Sequence, residues 1–363
     1  MLMSVALVFL AIMSDAGLLT RSFTGLLSRI AYSIILAVSL QLVVGFLGEL
    51  SLGHAGFMCV GAYIGCFTAN YLHTVIDSKL LVLVIAMLVG AAVAMVFGFI
   101  IGLPALRLKG DYLAIVTLAF GEIVRNIFKN LEIFGGAMGL KTKIYKPSEL
   151  FIIAFIVAIF TIIFIQNLIR SKHGRAITAI RDNEIAAKAM GINVTYYKLL
   201  VFIIAAAFAG VAGVIYGHFT TPLLYTFFSY NYSIEILVMV VLGGMGSIHG
   251  SILAAIAITV INFLLQNNLS GDLAALRLLV YALILIVVII FNNAPALKGV
   301  RARFNIRSFI RRFSQRKVIR PSLRYDDSAE WNQIETKIRM DEILTADLPH
   351  NEIYTPDPRE KED

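Results

Sequence analysis

Apolar residues in this chain gather in long unbroken runs, not in the one-sided stripes of a soluble fold. The runs fall at about 1–19, 24–47, 54–72, 80–103, 111–131, 150–169, 198–218, 233–247, 250–267 and 273–291. Most approach the roughly 20 apolar residues a helix needs to cross the hydrocarbon of a bilayer. Strands of a membrane barrel would alternate apolar and polar positions, and these runs do not. The pattern predicts an all-α polytopic membrane bundle of about ten transmembrane helices. The run at 233–247 is short, which predicts a broken or half-crossing helix. Residues 1–13 have neither a basic leading region nor a small-residue cleavage site, so they read as a first span or part of one.

The longest polar interruption between apolar runs is Ser171–Tyr197. It carries Lys172, His173, Arg175, Arg181 and Lys188 against Asp182 and Glu184. Asp182 or Asn183 is placed to cap a helix over Glu184–Met190, and Gly191 to stop it. Ala186, Ala187 and Ala189 leave a surface that a partner can approach closely. After the last run comes a second basic stretch, from Lys298 to Arg320. Positive loops face the cytoplasm, so both segments are expected there, with an even number of crossings between them. The connection Arg107-Leu108-Lys109 then falls on the same side and Leu131–Glu149 on the other. This divides the chain into a membrane domain, 1–297, and a cytoplasmic tail, 298–363, whose end has a disordered composition.

Composition agrees. The chain has 363 residues, 59% hydrophobic and only 15% charged, with a mean hydropathy of +0.83. The net charge of +8 follows from the positive-inside rule and needs no nucleic-acid partner. Cys59 and Cys66 lie about 10 Å apart along one helix, too far for a disulfide, and read as packing residues. No Cys/His cluster of metal-binding spacing is present. Nor is there a phosphate-cradling GxxxxGK[ST] loop, so ATP hydrolysis is not expected of this chain.

Ionisable residues inside or beside apolar runs are costly, and they are the candidates for a translocation pathway: Glu49, His54, Glu122, Arg125 and Glu235. Each also has a structural reading. Glu122 and Arg125 share a helix face and could pair; His54 could bond across a helix contact; Glu49 and Glu235 could sit at an interface. Two Gly-rich breaks, Gly48–Gly56 and Gly243–Gly250, each set Ser, His and Gly within a few residues. They admit close helix approach or line a cavity, and their likeness is compatible with two related halves.

Four stretches together carry a family resemblance: GELSLGHAGFMCVGAYIG at 48–65, GDYLAIVTLAFGEIVRNI at 110–127, GRAITAIRDNEIAAKAMGINVTYYKLLVF at 174–202 and LVMVVLGGMGSIHGSILAA at 237–255. In this order they resemble the permease subunits of branched-chain amino-acid ABC importers, the LivM type, over about 26–291. The resemblance implies an inner-membrane permease for small apolar amino acids. It would be paired with a homologous permease, two ATPase subunits that bind the ATP, and a periplasmic binding protein. It also implies that Arg181, Glu184, Ala187 and Gly191 belong to the segment that docks on the ATPase. Related permeases carry urea or short amides, and an ion-coupled transporter acting alone is the rival from another class.

Overall fold

A computed structural model describes residues 21–105, 110–142 and 147–268, together with 108, 145, 283 and 286. The runs expected at 1–19 and, but for 283 and 286, at 273–291 lie outside the described residues, as does the 298–363 tail. The described chain is helical. In order, the helices are α1 (Arg21–Gln41), α2 (His54–Leu72), α3 (Lys79–Ala105), α4 (Asp111–Asn130), α5 (Pro147–Arg170), α6 (Lys172–Asp182), α7 (Glu184–Ala189), α8 (Val194–Phe219), α9 (Tyr230–Gly243) and α10 (Ile248–Asn268). Helix α1 runs on into a π-helical turn, Leu42–Leu47, that ends at Gly48 with φ +81°.

Among the described residues, six helical segments are long and apolar enough to cross a membrane: Ser22–Leu47, His54–Leu72, Lys79–Pro104, Glu149–Arg170, Val194–Phe219 and Ile248–Gln266. The all-α membrane bundle is borne out, and the expected number of about ten spans is not confirmed. Helix α4 falls short because Asp111, Glu122, Arg125 and Lys129 interrupt its apolar face, and α9 because it has only 14 residues.

The most apolar stretch of α1 is wholly buried, whereas only about a third of α3 and of α5 is. Helix α1 is thus the axis, enclosed by α5, α8, α9 and α10. Helices α2, α3 and α8 form a second compact group. They approach so closely that a Cβ at Gly61 would lie 2.3 Å from the Gly210 Cα, and one at Gly213 would lie 2.1 Å from the Met58 carbonyl oxygen. Small residues permit this backbone-on-backbone packing where apolar side chains gain nothing by leaving lipid.

The connections alternate between two ends. The α6–α7 hairpin, the π-turn of α1 and the start of α8 lie at one end. At the other, the loop after α4 is tied to the end of α8. Leu140 bridges Leu223, and the Thr142 hydroxyl donates to the Gly217 carbonyl at 2.8 Å. Tyr145 donates to the Lys79 carbonyl at 2.9 Å. Burial pushes its phenol up to about 12, so it stays a donor.

Candidate functional site

The hairpin end is where most of the sequence's candidate residues meet. Ser171 caps α6 by accepting from the His173 and Gly174 amides. Asn183, one of the two caps expected, accepts from the Ala186 amide at 3.0 Å and starts α7. Gly191 closes the hairpin at φ +81°, the left-handed geometry expected of a helix stop. A Cβ there would meet nothing within 4 Å, so it is the backbone angle, not space, that asks for glycine.

Two polar joints fasten this hairpin to the axial helix. In the first, Arg181 Nη1 donates to the Gly45 carbonyl of the π-turn at 3.1 Å, while its other nitrogens hold Asp182. Gly48 makes room for it: a Cβ there would fall 2.7 Å from the Arg181 Cγ. In the second, Lys198 at the start of α8 reaches Glu49 at 2.6 Å and Glu184 at 3.1 Å. The lysine side chain is 4% exposed, Glu49 13% and Glu184 35%. One ammonium therefore bridges the loop after α1 to the first residue of α7.

The two Gly-rich breaks also converge here. Gln41 Nε2 donates to the Gly244 carbonyl at 3.1 Å. A Cβ on Gly45 would lie 2.6 Å from the Gly246 amide nitrogen. The π-turn that leads into the first break thus meets the second, and Arg181 lies beside Gly48 of the first and Gly246 of the second.

The candidates are distributed as follows. Glu49 lies in the joint with the hairpin. His54 is buried, with Nε2 2.8 Å from the Ser39 hydroxyl, joining α2 to α1. Glu122 and Arg125 pair at 2.7 Å, each about a quarter exposed. Glu122 also accepts from the Tyr230 amide at 3.0 Å, so it fastens α4 to the start of α9. Glu235 lies toward the opposite end and accepts from Asn262.

One expectation changes. Ala187 is 4% exposed and faces the protein's own core, so it is not part of the outward face of α7. The outward side instead offers Ile185 on α7 and Met190 just after it, 79% and 82% exposed. The sequence pattern does not single out Lys198, whose only signal is one cation opening an otherwise apolar run.

The sequence profile described as branched-chain amino acid transport system / permease component matches residues 22–289. The chain belongs to this permease family. The permease is 34% identical to the high-affinity branched-chain amino acid transport system permease protein LivM of Salmonella typhimurium, over 58% of this chain and 56% of that one. It is 38% identical to LivM of Escherichia coli, over 47% and 48%. More distantly, it is 26% identical to the LivH permease protein of Salmonella typhimurium, over 48% and 56%. The chain spans about half the length of the curated relatives it matches. With its family and its apolar helices, the permease is a multi-pass membrane protein.

Proposed function

We propose that this chain is a permease subunit of an ATP-binding-cassette importer that carries branched-chain amino acids across a bacterial inner membrane. Separate cytoplasmic ATPase subunits bind and hydrolyse the ATP, so the chain needs no cofactor of its own. A homologous permease, for which similarity to both LivM and LivH proteins speaks, completes the pathway. A periplasmic binding protein delivers the substrate. The basic hairpin and the C-terminus face the cytoplasm. The names of the relatives favour branched-chain amino acids over urea or short amides.

The observation that carries this reading is the joint at Lys198. An exposed apolar surface, Ile185 and Met190, is bound through Glu184, Lys198 and Glu49 to the loop that follows the fully enclosed axial helix. A push on α7 by a nucleotide-driven partner reaches α1 through charge-assisted bonds, not through a loose connector. Within the hairpin, Arg181 and Glu184 transmit the movement, Ala187 anchors α7 inward and Gly191 sets its end.

The test is the reconstituted complex in proteoliposomes, with the double substitution Ile185→Asp/Met190→Glu. Both residues are exposed, so insertion and assembly of the permease pair should survive. Stimulation of ATPase activity by loaded binding protein, and leucine uptake, should each fall at least about tenfold, the loss of about 1.4 kcal/mol of coupling. Undiminished stimulation and uptake would remove the hairpin from the coupling pathway.

A further inference from the structure

A second site lies at the other end of the bundle. A cavity of about 460 Å³ opens between α1, α8, α9 and α10. Its volume lies within the roughly 300–1,000 Å³ of small-molecule sites. It contains two opposite charges, Arg29 and Glu235. No ion pair joins them. Each is instead held by a neutral amide: Arg29 donates to Gln266 at 2.9 Å, and Glu235 accepts from Asn262. Arg29 also lies over the Phe219 ring, 5.7 Å from its centroid.

A purely structural pair would bring such charges together, because an uncompensated charge inside a membrane protein is expensive. Here they are kept apart in one chamber. Two further polar groups on its wall have no partner within hydrogen-bond criteria among the described residues. The Thr259 hydroxyl is buried without a hydrogen-bond partner. The buried Tyr232 hydroxyl, beside Ser33, meets none in bonding geometry. Apart from Ser33 and Thr220 the rest of the wall is aromatic, with Tyr216 stacked on Phe227 at 4.0 Å and edge-on to Tyr32 at 5.6 Å.

We infer that this cavity binds one zwitterionic amino acid with an apolar side chain, Glu235 facing its ammonium and Arg29 its carboxylate. A lone cation would meet Arg29, a lone anion would meet Glu235, and a lipid chain would leave both charges unanswered. A zwitterion answers both, while an apolar side chain suits the aromatic wall. Thr259 and Tyr232 have hydroxyls to offer it as hydrogen-bond partners. The end of α8 at Phe219 borders the cavity, so the site lies toward the side remote from the hairpin. In an importer that is the side from which substrate arrives, and the inference rests on the importer reading given above.

The experiment measures equilibrium binding of labelled leucine to the assembled transporter in nanodiscs without binding protein, alongside leucine uptake by the full complex in proteoliposomes. Leucinamide and 4-methylpentanoic acid serve as competitors that lack one charge each. Leucine should bind saturably and be displaced far better by leucine than by either competitor. Glu235→Gln and Arg29→Gln, in complexes verified by gel filtration, should each weaken binding at least about tenfold, the worth of a charge-assisted bond. Thr259→Val keeps the shape of the side chain and should weaken binding about fivefold even if a charge variant fails to assemble. Uptake by the wild type with no leucine binding, or with binding unchanged in Thr259→Val and in the assembled charge variants, overturns the site and leaves the importer reading intact. Absence of branched-chain amino-acid uptake by the wild-type complex overturns both.

Discussion

Replacing Lys198 by methionine separates the structural part of the hairpin joint from its transmitting part. Methionine keeps much of the length and apolar body of the lysine stem, so packing along α8 changes little. What disappears is the ammonium at 2.6 Å from Glu49 and 3.1 Å from Glu184. The two arms are unequal. Glu49 is only 13% exposed and would be left as a nearly buried, unpaired carboxylate, a loss of about 3–5 kcal/mol. Glu184 is 35% exposed, and water screens its arm to at most about 1 kcal/mol. Lys198→Met should therefore destabilise the permease by about 3 kcal/mol or more. Adding Glu49→Gln should restore most of that, because it removes the orphaned charge. Glu184→Gln alone should cost at most about 1 kcal/mol and yet weaken ATPase stimulation, since it unties α7 from α8 without unsettling the core. Unfolding by titration with denaturing detergent gives the energies, and the reconstituted complex gives the stimulation. If Lys198→Met unfolds like wild type, or if Glu49→Gln fails to rescue it, the bridge is not the buried electrostatic joint described here.

Gly48→Ala should lower both stability and coupling, by about 1–3 kcal/mol in stability, because the position has φ +81° and the new Cβ would press on the Arg181 Cγ; unchanged uptake would show that Arg181 moves aside freely. Glu122→Gln should cost no more than about 2 kcal/mol in the detergent titration, since Arg125 keeps partial access to water while the bond to Tyr230 is weakened. A Glu122→Gln/Arg125→Gln double substitution should cost less than the sum of the single changes. Lys188→Cys should be labelled by an impermeant maleimide only after the cells are opened; labelling in intact cells would reverse the orientation.

Sequence pattern made the helices and the hairpin readable for a physical reason. Apolar runs, the Asn183 cap and the left-handed stop at Gly191 are local, and local chemistry is written locally. What an apolar run does not say is whether its neighbour is lipid or protein. The stretch at 24–47 looks like any other span, yet it is the enclosed axis, while α3 and α5, equally apolar, leave most of their surface uncovered. The inward turn of Ala187 was hidden for a related reason. In a helix as short as α7, facing is set by the joints at either end and not by a repeating pattern. Lys198 escaped notice because its two partners are 149 and 14 residues away in sequence. Arg29 reads in sequence as a single charge inside a long run, and only the fold brings Glu235 to the same chamber.

The glycine crossings among α2, α3 and α8 have a mechanical consequence. Where Gly61 meets Gly210 and Gly213 meets the Met58 carbonyl, backbone rests on backbone with no side chain between them to change rotamer. Interlocked in this way, the helices have no compliant layer along which one could slide past another without first being lifted clear. The trio therefore behaves as a fixed stator. Any stroke entering through the hairpin has to be taken up along the other seams of α1, where α5, α9 and α10 meet it through side chains that can re-pack.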